Sequence, residues 1–71
     1  MIFSIPLIID GKINPVFVKA NREILENKEI DNIVNLIAEW KNYYNAYLDL
    51  ENNTINFDTE KNQLHFLLNF S

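Results

Sequence analysis

The sequence predicts an α+β domain in the order ββαββ, with two β-hairpins forming a mainly antiparallel four-stranded sheet and one long helix packed on one face. Three observations lead there. An Asp-Gly pair separates two runs rich in Ile, Val and Phe, apolar residues recur at helical spacing from Lys28 to about Leu48, and the C-terminal segment alternates apolar and polar residues. The 71 residues are expected to form a single domain, 1–71, near the size at which one core buries only roughly 60% of the unfolded chain's surface.

Residues 2–9 and 12–19 flank Asp10-Gly11, a strong short-range hairpin signal. A two-residue turn sets Ile9 opposite Lys12, Ile8 opposite Ile13, and Pro6 opposite Pro15. Counting out from the turn, Pro6 and Pro15 fall at a non-hydrogen-bonded pair, where backbone nitrogens face away from the partner strand. The two prolines then cost the hairpin nothing and remove a donor from each outer edge, which obstructs a further strand. Both faces of this hairpin are apolar, with Phe3, Ile5, Leu7 and Ile9 on one and Ile2, Ile8, Ile13 and Phe17 on the other.

After it, "KANREILEN" reads either as extended chain or as a first helical turn. Asn27 is the expected N-cap of the long helix, with Glu29 and Asp31 suited to the positive end of its dipole. Ile30, Ile33, Val34, Ile37, Tyr44 and Leu48 form its core stripe, and Leu36, Trp40, Tyr43 and Tyr47 a second, aromatic flank. Asp31, Asn32, Asn35, Glu39 and Asn42 face water. "ENN" turns the chain, "TINFD" puts Ile55 and Phe57 on one face, and "TEKN" is the loop of a second hairpin. Its last strand, "QLHFLLNFS", carries Leu64, Phe66, Leu68 and Phe70 on one side.

Composition excludes several function classes. There is no cysteine for disulfides or thiolate metal sites, which makes a cytoplasmic setting the default. Six Lys and Arg against ten Asp and Glu leave a net charge of −4, which repels phosphate backbones and anionic lipid, so neither nucleic acid nor membrane is an expected direct partner. The apolar start "MIFSIPLII" lacks a basic n-region and is too short to span a bilayer. Twelve asparagines and ten isoleucines fit an AT-rich genome, as in a phage, a mobile element or a low-GC bacterium.

No residue set points to catalysis. His65, the single histidine, could be oriented by Asp58 near Asn56 as a general base, but no nucleophile, second histidine or glycine-rich loop accompanies it. Asp49, Glu51, Asn53 and Glu60 occupy the first, third, fifth and twelfth positions of a calcium loop, yet Thr54 stands where that loop needs glycine and a strand is expected to follow. No cofactor or metal is expected. The expected partner surface is instead Leu36, Trp40, Tyr43 and Tyr47 with the acids Asp49, Glu51, Asp58 and Glu60, because aromatics beside aliphatics anchor protein interfaces. The function expected from these features is a small acidic, non-enzymatic protein-binding domain. An inhibitor or immunity-type protein, acting on a larger enzyme such as one that handles nucleic acid, fits them best. The alternative is a homo-oligomeric structural or assembly protein, most simply a symmetric dimer.

Overall fold

A computed structural model describes residues 3–71. Met1 and Ile2, the latter expected on the first strand, lie outside the described residues. The order is β1 (Phe3–Pro6), β2 (Ile8–Ile9), β3 (Lys12–Ile13), α1 (Pro15–Asn27), α2 (Ile33–Tyr44), β4 (Ala46–Asp49), β5 (Thr54–Phe57) and α3 (Glu60–Phe70). The fold is α+β and its strand pairing antiparallel, as expected. The sheet is three-stranded in the order β1-β5-β4, with β2-β3 as a separate two-stranded ribbon, and three shorter helices replace the long one.

The first turn forms in the expected register. Ile8 pairs with Ile13 and Ile9 with Lys12, and Asp10 and Gly11 both take positive φ, 52° and 76°, as a type I′ turn requires. The pairing ends at Leu7 and Asn14, where the Asn14 N–H donates to the Leu7 carbonyl at 2.7 Å. Pro6 and Pro15 do not face each other, contrary to the expected pairing. Asn14 is an N-cap whose side-chain oxygen accepts from the Val16 N–H at 3.0 Å, and Pro15 occupies the first helical position, where a missing N–H costs nothing. The run expected as a second strand is therefore α1, which buries Ala20 and Ile24.

Pro6 does sit on an edge, though of a different pairing. Phe3, Ser4, Ile5 and Pro6 face Phe57, Asn56, Ile55 and Thr54. Because the Leu7 N–H donates to the Asn53 carbonyl, alternation turns the backbone groups of Ser4 and Pro6 away from β5. Both outward carbonyls are occupied: that of Pro6 by Asn14 Nδ2 at 2.8 Å and that of Ser4 by Gln63 Nε2 at 3.1 Å.

The expected helix from Lys28 to Leu48 is divided by asparagines. Asn27 is the last residue of α1, not an N-cap. The cap of α2 is Asn32, which accepts from the Asn35 N–H at 3.0 Å, and α2 ends at Asn45 in the left-handed region. Beyond it the side-chain period becomes two: Ala46 and Leu48 are buried, Tyr47 and Asp49 face the open side of the sheet, and β4 pairs with β5. Ile55 and Phe57 share the core face as expected, but their hairpin partner is β4. The expected final strand is helical because Thr59 caps α3 by accepting from the Asn62 N–H at 3.1 Å. Helical spacing buries Phe66 and half-buries Leu67 and Phe70, and leaves Leu64 and Leu68 in solvent.

The helices cover one face of the three-stranded sheet, and Trp40 fills the space between them. Its ring stacks on Phe17 (5.3 Å, 10°) and meets Tyr44 edge-on at 4.9 Å and Phe66 at 5.7 Å. Burial of these rings with Ile5, Ile24, Ile55 and Phe57 forms the core and supplies the dominant folding term at roughly 25 cal/mol per Å2 of apolar area.

Candidate interaction surface

Part of the exposed apolar surface lies on α1. Val18 and Leu25, seven residues apart, stand on one side of that helix, with Arg22 between them in sequence. Together with Ile13 of β3, Phe17 and Asn21 they line a shallow groove of about 320 Å3. Ile13, Val18 and Leu25 are exposed, and so are Ile8 and Ile9 of the adjoining ribbon. The floor of the groove is fixed from behind. Phe17 lies flat on Trp40, and the Trp40 indole N–H donates to Asn21 Oδ1 at 3.1 Å.

The residues expected to form a partner surface are spread over the molecule. Trp40 is 0% exposed and belongs to the core, so it is removed from that surface. A large aromatic at helical spacing is more strongly drawn inward than outward, and the three helices enclose it. Leu36 is half-buried against the core. Tyr43 lines a cleft with Tyr44, Asn45, Asn62, His65 and Asn69 between α2 and α3. Tyr47 stands on the open sheet face with Lys41 Nζ 4.3 Å above its ring. Asp49 closes the β4–β5 turn, accepting from the Asn52 N–H at 3.1 Å and from Asn52 Nδ2 at 2.9 Å. These bonds, that from the Asn52 side chain foremost, hold its carboxyl below the ordinary carboxylate value. Glu51 is exposed in that turn, and Asp58 and Glu60 are exposed at the β5–α3 junction.

His65 is not on a strand opposite Asp58 but on α3, exposed to solvent. The segment after Glu60 is helical, against expectation, but Asp49–Phe57 is strand and turn. Among the described residues no group of three or more His, Asp and Glu side chains could hold a metal ion. No described helix is long and apolar enough to cross a membrane. Reasoning from sequence misses Val18, Asn21, Arg22 and Leu25, because it places the first in a strand and the others in a segment that fits either extended chain or helix. Asn14-Pro15, an N-cap followed by the first helical residue, was the signal that would have placed them on one helix.

Comparison with family models, curated proteins and solved structures found no match for this chain.

Proposed function

We propose that this chain is a small, non-enzymatic protein-binding domain of the inhibitor or immunity type, working in the cytoplasm on a larger enzyme. The observation that carries this reading is the α1 groove. Single exposed aliphatic residues are ordinary on a protein surface, whereas a contiguous set around a recess marks an interaction site. Ile13, Val18 and Leu25 are such a set, on a floor held rigid by the Phe17–Trp40 stack. A rigid floor lowers the entropy lost on binding. The acidic balance of the rest of the surface favours a basic partner body, whose approach it would steer.

A second reading, assembly of like copies, is favoured by the α3 ridge, where Leu64 is 49% and Leu68 81% exposed. One experiment separates the two. The tagged chain is drawn from an extract of its source cells, beside a Leu25→Lys variant, and the intact masses of the complexes are measured. The expected result is one foreign protein in stoichiometric amount with the wild-type chain and none with the variant. Masses only at multiples of 8.4 kDa would establish assembly instead, and a lone chain in every sample would refute both.

A further inference from the structure

We draw no further inference here: the strongest candidate, the apolar groove on α1 lined by Ile13, Val18, Arg22 and Leu25, is an unpartnered face, and nothing in the structure shows what covers it, since a foreign acidic helix and the α3 ridge of a second copy, where Glu60 lies beside Leu64 and Leu68, suit it equally.

Discussion

Asn14 joins the N-terminal strand to the first helix, and its replacement by alanine tests that junction. The residue is 5% exposed and serves the fold through both ends of its amide. Oδ1 caps α1 at the Val16 N–H, and Nδ2 donates to the Pro6 carbonyl at 2.8 Å. Loss of an N-cap costs about 1 kcal/mol. A carbonyl left without its donor in a partly buried site adds about 1–3 kcal/mol. The sum, about 2–4 kcal/mol, is large against the roughly 4–10 kcal/mol that 0.05–0.15 kcal/mol per residue allows a chain of this size. It corresponds to a fall in Tm of roughly 10–25 °C. The assay is urea unfolding followed by the fluorescence of Trp40, the single tryptophan and fully enclosed. Asn14→Asp keeps the cap acceptor and loses the donor, and should fall between wild type and Asn14→Ala. If both variants unfolded within about 0.5 kcal/mol of wild type, the spread expected of surface substitutions, the role given to Asn14 would be wrong.

Two further outcomes follow from single residues. Burial, with smaller contributions from Glu23 and Tyr43, raises the Tyr44 phenol above its ordinary value, and its hydroxyl donates to the Ala20 carbonyl at 2.7 Å. The folded state therefore keeps a proton that the unfolded state releases near pH 10, so stability is present below about pH 10 and falls as pH rises beyond it. In Tyr44→Phe that part of the alkaline loss should vanish in a pH series of urea midpoints, and an unchanged alkaline slope would contradict it. Gly11→Ala should lower stability by about 1 kcal/mol with an unchanged urea m-value. A Cβ there meets nothing within 4 Å, so the cost is that of φ +76° alone, and a variant as stable as wild type would exclude the type I′ turn.

The parts of the fold legible in the sequence were those carried by one local signal. Asp10-Gly11 announced the ribbon and its register, and the alternation of Thr54 to Phe57 announced β5 with Ile55 and Phe57 inward. The parts that were not legible turn on asparagine. Three of the capping or turning positions that divide the chain, Asn14, Asn32 and Asn45, are asparagines, and a composition that looks like genomic bias hides them. With a single glycine in the chain, the left-handed conformations outside Gly11 fall to Asp10, Asn45 and Asn53, among the described residues. These are the residue types that tolerate that region best after glycine. Without those stops, Tyr44 and Leu48 look like successive turns of one helix although a strand begins between them.

The C-terminal segment failed for a second reason. Leu64, Phe66, Leu68 and Phe70 alternate and also satisfy a helix in part, and only the Thr59 cap decides between the periods. The candidate surface inherited these errors. Its aromatic flank needs a helix that reaches Tyr47, where α2 stops at Tyr44, and the groove on α1 has no counterpart if residues 12–19 are a strand.

The occupied edge of β1 bears on how this chain avoids amyloid. "FSIPLII" is rich in Ile and carries no charge, two of the features that favour cross-β stacking, and its Pro6 opposes it. In the native state Pro6 has no N–H to offer, and Asn14 and Gln63 hold the outward carbonyls of Pro6 and Ser4. An incoming strand finds little to template on. Fibril nucleation through this segment must therefore wait for α1 and α3 to withdraw those two amides, which links the lag time of any fibrillation to opening of the native helices.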